Sequence, residues 1–447
     1  MRQVILIPGV MGSRLALGQE EVWPPTPKEV LFGYKRLAKL VDPMLQPTDA
    51  IRSVSCYTIY ASLIDRLAAW GYAEYPAAGA RGQLRVWPYD WRRDNRESAR
   101  KLVDFLKDVV MAQQADPITL VAHSMGGLIS RYALEADDAQ VTGSWRSRVS
   151  LLVTMGTPHR GAPLALVRAA GLDGALGLSP ADVKALAADV RYPSAYQLLP
   201  PTNARALWNR FAGTQPVDPV DLFDPGIAGS LGLAAPNLQA ATQFHSALST
   251  DRRPAGCRYF CFAGRQEQTI VRTELLSPVL VGSIRDADAG DGTVPSWSSA
   301  LPGEQFQLDG GEHGTTFKNR HLLETLGQLL DVPQMLVAAA AAEAPAIRCV
   351  MRALILNAGE PTIVRVELAG ALQGSLALRV YALDKHGGPV GEPVGSWSQR
   401  IEGASDKPAL AIVAPARPGT YACVANFVSD GGAALQSGPE PFVVPAP

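Results

Sequence analysis

The chain has 447 residues, of which 47% are apolar and 19% are charged, and this balance excludes a disordered, collagen-like or coiled-coil protein. Its 41 lysines and arginines nearly cancel its 42 aspartates and glutamates, so no long-range field favours nucleic acid or an anionic membrane. Only four apolar residues immediately precede Pro8, and no run approaches the roughly 20 that a membrane span needs. We therefore expect a cytoplasmic protein of several domains, with no signal peptide and no transmembrane segment.

Short apolar runs alternate with amphipathic segments as far as residue 337. The runs that predict strands lie at 4–7, 84–87, 118–121, 149–154, 258–263 and 305–308. Helical spacing covers 57–70, 126–134 and 321–330, and Asp94 is a candidate cap for one further helix. Strands that alternate with helices predict an α/β fold with a mainly parallel sheet covered on both faces.

Two segments interrupt this alternation and are interpreted as a cap or lid. Residues 14–55 are rich in loop-forming residues, and residues 162–255 are too long for a plain connection between two strands. We therefore predict an α/β domain over 1–337 with these two insertions. An alanine tract and a proline then predict a linker at 338–345.

Residues 346–447 predict a separate β-sandwich. Apolar residues follow a period of two at 362–368 and 375–380, between turns rich in glycine and proline. Tyr421 stands two residues before Cys423, as in the tyrosine corner of immunoglobulin-like domains. This spacing predicts an immunoglobulin-like domain. It does not decide whether Cys349 and Cys423 form a disulfide.

The five cysteines are too few for a disulfide scaffold in a chain of this length. They are Cys56, Cys257, Cys261, Cys349 and Cys423. The pair at 257 and 261 has no second close pair and few histidines nearby, which argues against zinc. We expect buried thiols, and we predict no metal or other cofactor.

The most informative segment is A-H-S-M-G at residues 122–126. It follows a predicted strand and precedes a predicted helix, and it fits the pattern G-x-S-x-G with Ala122 in the first glycine position. A sharp turn at Ser124 lifts its side chain above the sheet edge. We therefore predict that Ser124 is a nucleophile rather than an ordinary turn serine, because the strand–turn–helix setting fits a nucleophile better.

A serine nucleophile needs a histidine to take its proton and a carboxylate to orient that histidine. In this class of fold the acid follows the serine in the chain, and the histidine follows the acid. Asp286, Asp288 and Asp291 are the acid candidates. Asp291 is preferred because G-D-G-T-V-P at 290–295 is the most turn-like setting, at the edge where strands end.

Six histidines are available as the base: His123, His159, His245, His313, His321 and His386. His123 is expected to point away within the elbow, and His386 lies in the β domain. His159 and His245 precede the acid. His313 lies 22 residues after Asp291, in a glycine-rich loop between a strand and the last helix, and is therefore preferred over His321.

An ester hydrolase also needs N–H donors for the tetrahedral oxyanion. One is the backbone N–H of Met125, directly after the serine. The other is expected in the glycine-containing loop at 8–13, where Val10 and Met11 are the candidates and Met11 is preferred.

Several segments taken together resemble the lecithin:cholesterol acyltransferase family of α/β-hydrolases, of the lysosomal phospholipase A2-like kind. They are V-I-L-I-P-G-V-M-G-S-R-L at 4–15, P-Y-D-W-R at 88–92, A-H-S-M-G-G at 122–127, G-T-P at 156–158, P-S-A-Y-Q-L-L-P at 193–200 and G-D-G-T-V-P at 290–295. The resemblance covers roughly residues 1–335 and implies a triad of Ser124, Asp291 and His313, with Met11 and Met125 as oxyanion donors. It also implies that the loop around Trp23 corresponds to a lid and membrane-docking region.

The resemblance implies a lipid or phospholipid substrate and an acyl-enzyme. A serine esterase (a phospholipase or lipase) is the leading hypothesis, an acyltransferase that uses a lipid alcohol is the second, and a non-catalytic recognition or scaffold protein is the third. Contact with a membrane is expected through the lid or the β domain, which is also the site expected for any protein partner. Apolar cap residues either line an acyl channel or form the cap core: Leu198, Leu199, Leu207, Trp208 and Phe211.

Overall fold

The computed structural model describes residues 2–54, 57–75, 79–112, 117–210, 218–265, 267–276, 279–334, 336–337, 347–351, 355–368, 373–384, 387–402 and 408–446. Predictions for Cys56, Phe211, His386 and the linker at 338–345 lie outside the described residues. Within the described ranges, no helix combines the length and apolarity that crossing a bilayer requires.

A sheet of seven parallel strands forms the centre of the N-terminal part of the molecule. In spatial order its strands are Gln305–Gly310, Arg258–Arg265, Val149–Met155, Ile118–His123, Arg2–Ile7, Gly82–Val86 and Tyr72–Ala73. The register places Val121 between Leu6 and Val153. Residues 4–7 have no exposed surface, as expected for strands covered on both faces. The predicted α/β architecture with a parallel sheet is confirmed.

Helices cover both faces of this sheet. Asn95–Ala112, Met125–Glu135 and Ala235–Ala247 contribute side chains to the core on one face. Ala61–Ala69 and Arg320–Leu329 pack on the other face. The helix predicted over 57–70 begins later than expected, because Tyr57–Thr58 pairs with Ser53–Val54 as a small hairpin.

The first insertion, at 14–55, has more regular structure than its loop-rich composition predicts. A three-stranded antiparallel sheet and two short helices form there, from Ser13–Leu17, Glu20–Trp23, Gln46–Ala50, Pro27–Phe32 and Leu37–Leu40. The Trp23 side chain is buried in the main core rather than exposed on a mobile loop. The base of this insertion is therefore continuous with the α/β core.

In the described residues of 162–255, short helices alternate with loops and one short strand. The elements are Pro163–Ala169, Pro180–Ala188, Pro193–Leu198, Leu207–Asn209, Pro225–Ser230 and Ala235–Ala247. These elements share a core that includes Leu166, Tyr196 and Leu238. These residues thus pack around an apolar interior, to which Leu275 and Leu280 from later in the chain also contribute.

A long antiparallel hairpin follows the strand Arg258–Arg265 and was not predicted. Its strands are Glu267–Leu276 and Val279–Gly290, and the first of them also pairs in parallel with Leu207–Asn209 of the cap. Asp286 and Asp288, the two acid candidates that were not preferred, are exposed residues of the second strand.

Two sheets form the C-terminal β domain. One contains Ile347–Met351, Pro361–Leu368 and Ala409–Val413, and the other contains Gly374–Leu383, Pro389–Ile401, Gly419–Ser429, Ala434–Gln436 and Glu440–Val444. Their inner faces share one apolar core. The Tyr421 hydroxyl donates to the carbonyl of Arg417 (2.8 Å), four residues earlier in the chain. Cys349 and Cys423 face each other across the two sheets as buried free thiols.

Candidate active site

Ser124 stands at a sharp turn between strand Ile118–His123 and helix Met125–Glu135. Its φ of 52° and ψ of −126° form a conformation that L-residues rarely adopt, and the residue is 4% exposed. Its backbone N–H donates to the carbonyl of Met155 on the neighbouring strand (2.8 Å), which holds the turn against the sheet. This is the strand–turn–helix elbow that the sequence pattern predicts.

The side chains of Ser124, His313 and Asp291 form one hydrogen-bonded line. His313 Nε2 lies 2.9 Å from Ser124 Oγ, and His313 Nδ1 lies 2.7 Å from Asp291 Oδ2. The three residues come from three separate connections at one edge of the sheet. The fold thus brings together the three residues that were selected from sequence.

Asp291 is buried, and both oxygens of its carboxylate have hydrogen-bond partners. Oδ1 accepts the backbone N–H groups of Thr293 (3.0 Å) and Val294 (2.7 Å), while Oδ2 faces His313. Burial alone would lower the pKa of His313, but the charge and the hydrogen bond of Asp291 outweigh it and raise that pKa above its ordinary value. The imidazole is therefore a stronger proton acceptor for the serine hydroxyl than an ordinary histidine.

Gly156, in the G-T-P segment, leaves room for this Asp–His pair. Its φ is 57°, and a Cβ there would lie 2.7 Å from Asp291 Oδ2 and 3.0 Å from His313 Nδ1. No side chain fits at that position without displacing the pair. The need for this space explains the glycine of the G-T-P segment, which was noted from the sequence only as part of the family resemblance.

The loop at 8–12 contacts the elbow from the other side. A Cβ at Gly9 would lie 2.8 Å from Ser124 Cβ, so only glycine permits this approach. Met11 has a φ of 60°, and its carbonyl accepts the indole N–H of Trp23 (2.9 Å). The tryptophan of the first insertion therefore fixes the backbone at Met11.

Met125 is the first residue of the helix that follows the elbow, and it is fully buried. Helix geometry leaves the N–H at this position without an acceptor inside the helix, and the helix N-terminus carries partial positive charge. Of the two predicted oxyanion donors, Met125 directly follows Ser124 in the chain, and Met11 lies in the loop whose Gly9 approaches Ser124.

The P-Y-D-W-R segment anchors the first insertion beside this site. The fully buried Arg92 guanidinium forms a bidentate ion pair with Asp90 (2.7 and 2.8 Å) and also donates to the carbonyl of Leu40. The Tyr89 hydroxyl donates to the carbonyl of Pro8 (3.0 Å), at the start of the 8–12 loop. The role of this segment in the described structure is to hold backbone in place.

The other described histidines that were considered as the base do not contact Ser124. His159 is half-buried, with Nε2 lying 3.2 Å from Thr154 Oγ1, and desolvation of the ring holds its pKa well below the ordinary value. His245 lies in the cap, 3.2 Å from the carbonyl of Gln197. The His321 side chain is 65% exposed at the start of its helix.

Sequence reasoning did not assign His123 or Glu312 to the site, although both lie beside the hydrogen-bonded line. His123 was expected to point away, but its Nε2 lies 3.0 Å from the backbone carbonyl of His313 and its Nδ1 lies 2.7 Å from the Tyr60 hydroxyl. Glu312 Oε2 is shielded from solvent, without a hydrogen-bond partner among the described residues, and burial raises the pKa of Glu312 to about 7. The histidine directly before the elbow serine was a usable signal, whereas nothing in the sequence marks Tyr60.

The apolar cap residues that we considered for an acyl channel are packed. Leu199 and Leu207 are 0% and 3% exposed in the cap core, and Leu198 packs against the main core. The Arg272 guanidinium lies 5.4 Å from the ring centroid of Trp208. Leu199 and Leu207 therefore belong to the cap core, whereas Leu198 packs against the main core and Trp208 lies beside Arg272.

The arrangement has the groups that nucleophilic acyl transfer requires: a hydroxyl, an imidazole that contacts it, and a carboxylate that orients the imidazole. Among the described residues, no group of three or more His, Cys, Asp or Glu side chains has a geometry suited to holding a metal ion.

Residues 47–232 match the family model described as lecithin:cholesterol acyltransferase. The resemblance inferred from the sequence motifs is confirmed over this range. The match includes Ser124, residues 47–55 of the first insertion and residues 162–232 of the second, whereas Asp291 and His313 lie beyond its end.

Among curated proteins, the chain is similar to the lysosomal phospholipase A and acyltransferase of Bos taurus, with 31% identity over 109 residues, which is 24% of each chain. The chain thus covers about a quarter of the length of this relative. Among solved structures, it is similar to the gene lin2722 product of Listeria innocua (TM-score 0.34, 13% identity, 74% of this chain and 94% of that one) and to phospholipase PlaB of Legionella pneumophila (TM-score 0.31, 11% identity, 99% and 90%). Both TM-scores are too low to establish a common fold.

Proposed function

We propose that this protein is a serine-dependent lipid esterase, a phospholipase or lipase, that acts through an acyl-enzyme. The observation that carries the proposal is the line from Ser124 Oγ through the His313 imidazole to Asp291, with distances of 2.9 and 2.7 Å. Such a line activates a hydroxyl that is otherwise a poor nucleophile at neutral pH.

In the first half-reaction, His313 Nε2 takes the proton of Ser124 while Oγ attacks the ester carbonyl carbon. Asp291 holds the imidazole in the required tautomer and stabilises its charged form. The carbonyl oxygen becomes an oxyanion, and the backbone N–H groups of Met11 and Met125 are proposed to stabilise it. Collapse of this intermediate expels the alcohol, which receives the proton from His313, and leaves the acyl group on Ser124.

In the second half-reaction, an acceptor hydroxyl replaces the alcohol. His313 removes a proton from water, the resulting oxygen attacks the acyl carbon, and the proton returns to Ser124 Oγ as the free fatty acid leaves. The same geometry serves a lipid alcohol in place of water. Acyl transfer is therefore the second candidate. It is supported by the similarity to the lysosomal phospholipase A and acyltransferase.

Lipid esters are proposed as the substrate class because of the family match over residues 47–232. The proposal includes an α/β-hydrolase catalytic domain at 1–337, with caps at 14–55 and 162–255, and an immunoglobulin-like β domain at 346–447. Peripheral membrane contact through the lid or the β domain and a cytoplasmic location remain predictions. A non-catalytic scaffold is disfavoured because all three groups of the line are within hydrogen-bond distance.

The test compares the wild-type chain with Ser124→Ala on phospholipid vesicles that carry a labelled acyl chain. We expect loss of product formation by at least about 10⁴-fold, because the residual groups cannot replace the nucleophile. Ser130→Ala is the matched control, because this buried serine on the same helix donates only to the carbonyl of Gly126 (2.8 Å). Full activity of a folded Ser124→Ala variant would reject the proposal.

Product analysis in the presence of a long-chain alcohol separates the two candidate reactions. Free fatty acid as the sole labelled product supports the esterase and excludes acyl transfer to that alcohol. A labelled ester of the alcohol supports the transferase.

A further inference from the structure

We infer that Tyr60 and His123 are positioning residues, which join the 8–12 loop to the base His313 through one buried chain of hydrogen bonds. The inference rests on the proposed function, since it concerns how the proposed base and oxyanion loop are held. Neither residue belongs to the proposed triad or oxyanion hole. Sequence reasoning assigned no role to Tyr60 and expected His123 to point elsewhere.

The chain has three links. The backbone N–H of Gly9 donates to the Tyr60 hydroxyl oxygen (2.8 Å), that hydroxyl lies 2.7 Å from His123 Nδ1, and His123 Nε2 lies 3.0 Å from the carbonyl oxygen of His313. Tyr60 is 2% exposed and His123 is 6% exposed, so water does not compete for these links. The chain therefore runs behind Ser124, from one side of the site to the other.

The end groups fix the direction of every proton in the chain. The His313 carbonyl can only accept, so His123 Nε2 carries the hydrogen. A neutral imidazole then offers Nδ1 as an acceptor, and the Tyr60 hydroxyl donates to it while accepting from Gly9 N–H. Burial and the nearby His313 lower the pKa of His123 to about 3, which agrees with a neutral ring.

Ring packing holds the same groups in place. Phe317 stacks on Tyr60 with centroids 5.3 Å apart and meets the edge of His123 at 5.6 Å, while the two histidine rings lie 4.8 Å apart. Removing only the Tyr60 hydroxyl keeps this stack but leaves Gly9 N–H and His123 Nδ1 without their partner. The hydroxyl therefore controls hydrogen bonding rather than packing.

The consequence is that the loop with Met11 and the backbone of His313 keep one fixed relative position. A displacement of about 1 Å in such groups can cost roughly 100-fold in rate. We assign the contribution to the chemical step, because the chain ends on the loop of the proposed oxyanion donor Met11 and on the backbone of the proposed base His313. We therefore expect the chain to affect kcat much more than KM.

The test uses an alkyl fluorophosphonate, which labels an activated serine, and a short soluble p-nitrophenyl ester. Tyr60→Phe and His123→Leu are each expected to lower the labelling rate and kcat by roughly 10- to 100-fold, with KM changed less than about threefold. The double variant should lose less than the product of the two single losses, because both substitutions break one chain. His123→Gln should recover part of the rate, because its amide can donate to the His313 carbonyl.

Tyr72→Phe is the matched control. Tyr72 is equally buried, and its hydroxyl donates to the carbonyl of Leu330 (2.8 Å), away from Ser124. We expect it to lose thermal stability, because the Leu330 carbonyl loses this donor, but to keep the wild-type labelling rate.

The inference is overturned if folded Tyr60→Phe is labelled at the wild-type rate, or if the two single losses multiply in the double variant. If His123→Leu does not fold, Tyr60→Phe and His123→Gln decide the question in the same assays. Failure of the proposed function looks different, because the wild-type chain itself would then not be labelled at Ser124.

Discussion

Asp291 and His313 are joined twice. Their side chains meet through Oδ2 and Nδ1 at 2.7 Å, and the backbone N–H of His313 donates to the backbone carbonyl of Asp291 at 2.8 Å. The second bond ties the loop of the acid directly to the loop of the base. The orientation of the imidazole is therefore built into the backbone before any substrate arrives, which is the condition for electrostatic preorganisation.

Because the backbone bond survives a change of side chain, Asp291→Asn should fold while losing activity. The amide can donate to His313 Nδ1 and favour the wrong tautomer, so kcat on a soluble ester should fall by about 10⁴-fold. Asp288→Asn is the control, since this exposed aspartate on the long hairpin should tolerate the change with unchanged kcat. Similar rates for both variants would remove Asp291 from the proposed triad.

The raised pKa of Glu312, which lies beside the site, predicts that the stability of the protein depends on pH. Burial raises the pKa of Glu312 from 4.5 to about 7, although the charge of His313 opposes the shift, and Asp291 and Glu267 reinforce it. The folded state then binds the proton more tightly than the unfolded state. Its stabilising contribution is complete below pH 4.5 and is lost as the pH rises through about 7.

Glu312→Gln imitates the neutral form, so it should raise Tm at pH 8 relative to wild type and change Tm little at pH 4.5. Thermal melts at the two pH values check this, with the exposed Glu402→Gln as a control that should show no such difference. An equal change in Tm at both pH values would contradict the assignment.

The β domain contacts the α/β domain near the proposed acid. Arg365 of strand Pro361–Leu368 forms an ion pair with the buried Glu267 (2.7 Å), at the start of the hairpin that ends next to Asp291. Arg365→Met should therefore lower the free energy of unfolding by about 2 kcal/mol, because a buried charge loses this partner. Denaturant titration measures it, and the exposed Arg379→Met should leave stability unchanged. Equal stabilities for both variants would show that the pair is inert.

The balanced charge predicts how the chain meets a membrane. With a formal net charge of −1, vesicle binding should depend on apolar surface, and raising the salt concentration should weaken it little. Phe32, in the first insertion, is 58% exposed. Phe32→Ser should therefore lower the fraction of protein that co-sediments with vesicles, while activity on a soluble ester is kept. A steep salt dependence would count against this account.

Sequence alone selected Ser124, Asp291 and His313, which lie within hydrogen-bond distance of one another in series, because each follows a strand in a short segment rich in glycine. The hairpin after Arg258–Arg265 was not predicted, because its strands pair with each other and with Leu207–Asn209 of the distant cap, and no local pattern marks these contacts. Tyr60 escaped for a similar reason. Its partner His123 is 63 residues away, and no local pattern encodes a contact between two distant segments.

The central claim is that Ser124 carries the acyl group during turnover. Acid quenching of the wild-type chain during turnover of a phospholipid with an isotopically labelled acyl chain, followed by peptide mass analysis, tests it directly. The account predicts the mass of that acyl group on the peptide containing Ser124, and its absence in Ser124→Ala. Product release without any acylated peptide, or an acyl group on another residue that persists in Ser124→Ala, would contradict the account.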